Sequence, residues 1–301
     1  MSSDTLTSWI DGERTLPESG IATTELVSPW SGRTAGTYQS APTTVLERAI
    51  SSAHNAFMEY RNKPKSDRIN WLETATTEIE NALDRIVNSE ILFIGKPRRA
   101  ARFEVHRSAQ FVRACASYLA HFGGDTFPLD AAKAGAGLFG FTERIPYGVI
   151  AAVTPFNAPA NLLLQKVAPA LAVGNAVVVK PTPEGLEVAL LLAECFAMAG
   201  LPPGLFNIVP GGSEQALAMA SQRNVAFSSI TGGTKAGQAL ASAAARKPFV
   251  GELGGNSPNI VCADSNLPDA VARIMPSAFE ASGQQCISAQ RIIVEETVIV
   301  G

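Results

Sequence analysis

Cysteine, histidine and charge of one sign are all scarce in this chain, and each scarcity narrows what it can do. The four cysteines, Cys115, Cys195, Cys262 and Cys286, form no CxxC pair, and the three histidines lie far from them in sequence. Neither a zinc cluster nor a disulfide framework is expected, and no metal is assigned. Lysine and arginine total 24 against 27 aspartate and glutamate. That near balance leaves no electrostatic footprint for nucleic acid or for an acidic membrane. No apolar run reaches bilayer thickness, because the best stretches are cut by Gln165 and Lys166 or by Glu187 and Glu194. The opening MSSDTLTSWIDGER carries Asp4 and lacks the basic head and apolar core of a secretory signal, so a cytoplasmic location is expected. The dinucleotide fingerprint GxGxxG is missing, as are internal repeats and low-complexity tracts.

What is present is apolar texture on a length that can bury a large core. The 301 residues are 46% hydrophobic and 17% charged, which fits two domains, or one and part of another. Leu46, Ile50, Ala53 and Phe57 recur at helical spacing, as do Leu72, Ile79, Leu83 and Ile86. A third helical stretch over 98 to 120 follows Gly95-Lys96-Pro97, so the first third is expected to be mostly amphipathic helix. The Gly-rich segment from Phe122 to Phe141 reads as turns and extended arms that build no core alone. From Gly148 onward, short β-branched runs at Val149 to Val153, Ala176 to Val179 and Phe206 to Val209, and a further strand at Ala226 to Ile230, alternate with helical stretches such as Glu184 to Ala199. This rhythm predicts an α/β fold with a parallel sheet covered by helices. The last of these strands runs into Thr231-Gly232-Gly233-Thr234 and then a helix, a place where free backbone N–H groups can meet a phosphate. Ordinary turn and capping chemistry accounts for the same residues equally well.

Three segments supply chemistry: Thr154-Pro155-Phe156-Asn157-Ala158-Pro159, Gly251-Glu252-Leu253-Gly254-Gly255-Asn256 and Gly283-Gln284-Gln285-Cys286-Ile287-Ser288. They offer an amide, a carboxylate and a thiol, each beside glycine or proline at a turn, where a side chain can face a cleft. A plain turn would explain Asn157, a surface charge Glu252 and a buried thiol Cys286. Against these, Gly254 and Gly255 mark a backbone that must let something approach closely. Gln284, Gln285 and Ser288 also make polar company for a core cysteine.

With these motifs the chain resembles the aldehyde dehydrogenase superfamily across nearly its whole length. Trp9-Ile10-Asp11-Gly12, Ser28-Pro29-Trp30-Ser31-Gly32, Lys166-Val167-Ala168-Pro169-Ala170-Leu171, Val179-Lys180-Pro181 and Gln290-Arg291 follow the family's order and roughly its spacing. The resemblance implies a parallel Rossmann-type sheet with flanking helices and the beginning of an α/β catalytic domain. It divides the chain into an N-terminal helical part (1–121), an oligomerisation arm (122–141), the dinucleotide-binding sheet (142–251) and an incomplete catalytic domain (252–301). It implies Cys286 as nucleophile, Glu252 as general base, and Asn157 with the Cys286 backbone N–H as the oxyanion hole. The implied reaction is oxidation of an aldehyde to a carboxylic acid through a cysteine thiohemiacetal and thioester.

For the cofactor, the resemblance implies contacts from Thr154, Pro155, Phe156, Lys180, Thr182, Gly232, Gly233, Leu253 and Gly254. Many NAD-preferring members place a glutamate three residues after the lysine, where this chain has Pro183 with Glu184 one place later, and many carry serine where Gly233 stands. NAD is favoured, and NADP stays open because the charge that would repel a 2′-phosphate is missing. The segments around Asn157 and Cys286 resemble the branch acting on small polar aldehydes, which includes lactaldehyde, phosphonoacetaldehyde and non-phosphorylating glyceraldehyde-3-phosphate dehydrogenases. A homodimer or homotetramer is implied for a full-length chain. Family members continue well past the nucleophile, so the alternative is a truncated, catalytically inactive nucleotide-binding remnant.

Overall fold

The computed structural model describes residues 5–299. Its centre is a doubly wound sheet. Strands β7 (Val149–Thr154), β8 (Ala176–Pro181), β9 (Phe206–Ile208), β10 (Val225–Thr231) and β11 (Phe249–Glu252) are parallel, in the order β11-β10-β7-β8-β9. Every residue of β7 and β8 is buried, as continuous apolar runs require when helices cover both faces. Crossovers through α5 (Pro159–Ala172) and α6 (Leu186–Met198) build the sheet in one direction. Crossovers through α7 (Ser213–Ser221) and α8 (Thr234–Ala244) build it in the other. The reversal falls between β7 and β10, and the crevice outside their carboxyl ends is where such sheets bind ligands.

The N-terminal part frames this core. Helices α1 (Thr43–Tyr60), α2 (Lys65–Asn81), α3 (Leu83–Ile94) and α4 (Arg98–Leu119) carry the expected apolar faces. α1 packs on the sheet beside α7, and α4 lies across α2, α3 and α5. The pattern from Leu72 to Ile86 is divided between two helices that part at Ala82.

Residues 5–40 hold strands and turns rather than helix. β1 (Trp9–Ile10) and β2 (Glu13–Arg14) add an antiparallel edge to the main sheet, with Trp9 opposite Ile208, while β3 (Thr23–Val27) and β4 (Thr34–Gln39) form a ribbon. The expectation of a mostly helical first third therefore holds only from Thr43 onward. Pairing with a strand nearly two hundred residues away decides β1, and a two-residue strand has no periodicity to read.

β5 (Thr126–Phe127) and β6 (Gly140–Phe141) pair antiparallel and form an arm with Phe127, Phe139 and Phe141 exposed. Beyond the main sheet, β12 (Ser257–Val261) and β13 (Ala289–Val294) pair in parallel around α9 (Leu267–Phe279). Val271, Met275 and Phe279 on α9 are exposed. No helix among the described residues is long and apolar enough to cross a membrane.

Candidate active site

Asn157, Glu252 and Cys286, 129 residues apart at the extremes, line one cleft of about 690 Å³. Asn157 follows β7, in the turn between Pro155 and Pro159 that opens α5. Its Nδ2 donates to the Gln284 carbonyl at 2.8 Å, which ties the amide to the cysteine loop and leaves its second N–H uncommitted. Glu252 ends β11, and its backbone carbonyl accepts from Gly232 N–H at 3.0 Å, so its backbone is held to the same ladder that shapes the glycine turn. Cys286 sits exposed in a tight loop closed by Ser288. The Ser288 N–H donates to the Gln285 carbonyl at 3.1 Å, and its hydroxyl accepts from Gln285 N–H at 3.3 Å. Ser288 itself is only 1% exposed, so the polar neighbour is a buried staple of the loop.

The glycine pair after Glu252 has a definite cause at Gly255. A Cβ there would stand 2.7 Å from the Cys286 carbonyl oxygen, a backbone atom with no room to yield. The close approach implied by the sequence is thus that of the cysteine loop itself.

Lys166, which opens one of the family-like motifs but was not among the expected site residues, faces the cleft. Lys166, on α5, donates to Ser229 Oγ at 3.0 Å, and burial pushes its ammonium down to about 8 while the Glu252 charge pulls it back up. Its signal was a charge inside an otherwise apolar helix. Arg107, on α4, also lines the cleft, exposed and in no ion pair among the described residues.

A second cavity of about 350 Å³ opens at the switch point and meets the first at Thr231, which lines both. Thr154, Pro155, Phe156, Lys180, Thr182, Gly232 and Gly233 all line it. Lys180 is buried in β8, donates to the Gly211 carbonyl at 3.2 Å, and is pushed down by burial, with Glu184 opposing. Thr182 Oγ1 is buried without a hydrogen-bond partner, a polar atom that a bound ribose hydroxyl could satisfy. Gly233 has open space where a side chain would be, at the start of α8. These features fit a dinucleotide.

Leu253 and Gly254 line neither cavity. The Leu253 side chain packs on Gly237 of α8, and Gly254 lies beside Thr234. No cluster of three or more potential metal ligands occurs among the described residues.

The sequence matches the Aldehyde dehydrogenase family over residues 16–300. The chain belongs to this family. It is 35% identical, over 89% of its length, to an aldehyde-dehydrogenase-like protein of Sinorhizobium fredii, and covers 52% of that relative. Its fold matches an NAD-dependent aldehyde dehydrogenase from Sinorhizobium meliloti with a TM-score of 0.92 at 29% identity, covering 99% of this chain and 59% of that one. It matches an NADP-dependent enzyme of E. coli with a TM-score of 0.91 at 30% identity, covering 98% of this chain and 61% of that one. The chain therefore spans about half to three-fifths of the length of these relatives. This aldehyde dehydrogenase family chain has the α/β, parallel-rich sheet of its structural neighbours.

Proposed function

We propose that the protein oxidises an aldehyde to a carboxylic acid with NAD(P)+ as hydride acceptor, Cys286 being the nucleophile. The observation that carries this reading is the convergence of Cys286, Glu252 and Asn157 on one cleft that meets, at Thr231, a second cavity at the carboxyl ends of the sheet strands. The Cys286 thiolate adds to the aldehyde carbon, forming a C–S bond and an oxyanion. The free Asn157 N–H and the Cys286 backbone N–H stabilise that charge. A nicotinamide bound in the adjoining cavity would supply the two-electron acceptor for the hydride that leaves this carbon. The Cys286 thioester that results is attacked by water, whose proton Glu252 accepts, and cleavage of the C–S bond releases the acid and restores the thiolate.

Thr154, Pro155, Phe156, Thr182, Gly232 and Gly233 would surround the dinucleotide, and Lys180 would lie near its adenosine ribose. Pro183 in place of a carboxylate supports acceptance of a 2′-phosphate, so both cofactors belong in the test. The two cations of the cleft, Arg107 and Lys166, support a small polar aldehyde as substrate. The exposed aromatic arm of β5 and β6 supports a homodimer or homotetramer of the complete chain.

The test is calorimetric titration with NAD and NADP, alongside burst acylation by 4-nitrophenyl acetate and turnover of small aldehydes. Cofactor binding with a stoichiometric nitrophenolate burst that Cys286→Ala abolishes is expected. Cofactor binding with no burst would favour an inactive nucleotide-binding remnant.

A further inference from the structure

Helix α5 begins badly by its own sequence. Its N-cap residue, Ala158, has no side-chain acceptor, and Pro159 has no N–H to offer. The next two N–H groups, of Ala160 and Asn161, donate instead to one carboxylate oxygen of Glu104 on α4, at 2.9 and 3.0 Å. The other oxygen of Glu104 pairs with Lys96 Nζ, and the same ammonium donates to the backbone carbonyl of Asn157 at 3.1 Å. Lys96 reaches this point from the corner between α3 and α4. There Gly95, at φ +74°, closes α3 in the left-handed conformation and its N–H meets the Ile91 carbonyl at 3.1 Å. The Lys96 and Glu104 side chains are 9% and 6% exposed.

We propose that Lys96 and Glu104 are positioning residues for Asn157, clamping the turn that presents its amide to the oxyanion. The inference rests on the oxyanion role given to Asn157 under Proposed function. A cation holds the carbonyl of residue 157, and a carboxylate holds the N–H groups three and four residues further on, so the turn is fixed on both sides. Neither group reaches the cleft. Their charges act by making hydrogen bonds stronger than neutral pairs would. Two further carboxylates act on Lys96. Glu90 of α3 stands 3.6 Å from Nζ, and Glu280, after α9, also raises its proton affinity against the lowering effect of burial. An oxyanion donor displaced by about 1 Å costs on the order of 100-fold in rate.

The experiment compares acylation of Cys286, which develops an oxyanion, with its alkylation by iodoacetamide, which does not. Exposed Cys262 serves as an internal reference for reagent and exposure. Glu104→Gln keeps the volume and removes the charge. The double variant Lys96→Met with Glu104→Gln removes cation and carboxylate together, so that neither is left buried alone. Both should slow acylation by 4-nitrophenyl acetate about 10- to 100-fold, leave iodoacetamide alkylation within about twofold, and speed amide exchange across residues 156–162. Parallel loss of acylation and alkylation, or no change in either, overturns the clamp. Asn157→Ala separates the two readings. If it leaves acylation intact, the oxyanion assignment itself fails. If it slows acylation while Glu104→Gln does not, only the clamp is lost. Should the unsubstituted chain not acylate, the Proposed function fails and unchanged exchange across 156–162 overturns the clamp.

Discussion

Glu90 offers a sharp test of the electrostatics beneath the candidate active site. It is wholly buried on α3, with Lys96 Nζ at 3.6 Å, and neither carboxylate oxygen has a hydrogen-bond partner among the described residues. Burial pushes its acid up from 4.5 to about 7, against the downward pull of Lys96. The unfolded chain therefore releases this proton at lower pH than the fold does. Between the two values the folded state holds the extra proton, so stability falls as pH rises from about 4.5 to about 7 and is flat above. At about 1.4 kcal/mol per pH unit, the loss across that window is about 3 kcal/mol. Glu90→Gln cannot ionise and should remove the slope. Urea unfolding at pH 5, 6, 7 and 8 should show the variant gaining on the parent by about 2–3 kcal/mol between the ends of the series. If Glu90 instead works as an ionised partner of Lys96, the variant will lose ground as pH rises. That result, or a difference independent of pH, refutes the reasoning.

Gly255→Ala should displace the cysteine loop, because the added Cβ would meet the Cys286 carbonyl oxygen at 2.7 Å. A cost of about 1–3 kcal/mol in urea unfolding and slower alkylation of Cys286 are expected. Gly233→Ala meets open space at φ −70° and should stay within about 0.5 kcal/mol of the parent. Lys166 has its ammonium lowered from 10.5 to about 8, so the unfolded chain binds the extra proton between those values and stability rises with pH there. Lys166→Met should abolish that rise, which unfolding at pH 8 and pH 10 would show. Arg107 and Lys166 should draw an anionic reagent into the cleft, so iodoacetate should gain on iodoacetamide at Cys286 relative to Cys262. Arg107→Gln should cut that preference severalfold, and an unchanged ratio at Cys286 would show that Arg107 does not act on entering anions.

How much of this was legible in the sequence depended on whether the deciding physics was local. β7 and β8 were readable because strands buried on both faces are written as near-continuous apolar runs, whereas β9 and β10, broken by Asn207 and by Ser228-Ser229, were readable from the helices and turns that bound them, Gly232-Gly233 marking the turn at the end of β10. Glycine at 255 was readable as a close approach, though not as an approach to the Cys286 carbonyl. The extended pairing of β1 with β9 was not readable, nor was the parting of α2 from α3 at Ala82, which involves neither glycine nor proline.

The same distinction separates the chemistry of the site from its support. Asn157, Glu252 and Cys286 could be singled out as an amide, a carboxylate and a thiol at glycine or proline turns, but each had an ordinary reading alone, and only the family resemblance joined them. Lys96 and Glu104 look unremarkable alone, a cation after a helix-ending glycine and an acid on an amphipathic helix. Their meaning lies in α5, whose start lacks a cap at Ala158 and whose first N–H groups find Glu104 fifty-six residues back. A missing local partner was therefore the sequence signal for a distant one. An α5 with serine or aspartate at position 158 would satisfy its own first turn, and Glu104 would then be a buried charge with Lys96 as its remaining partner. The alanine is what makes the fold of α3 and α4 answerable for the position of Asn157.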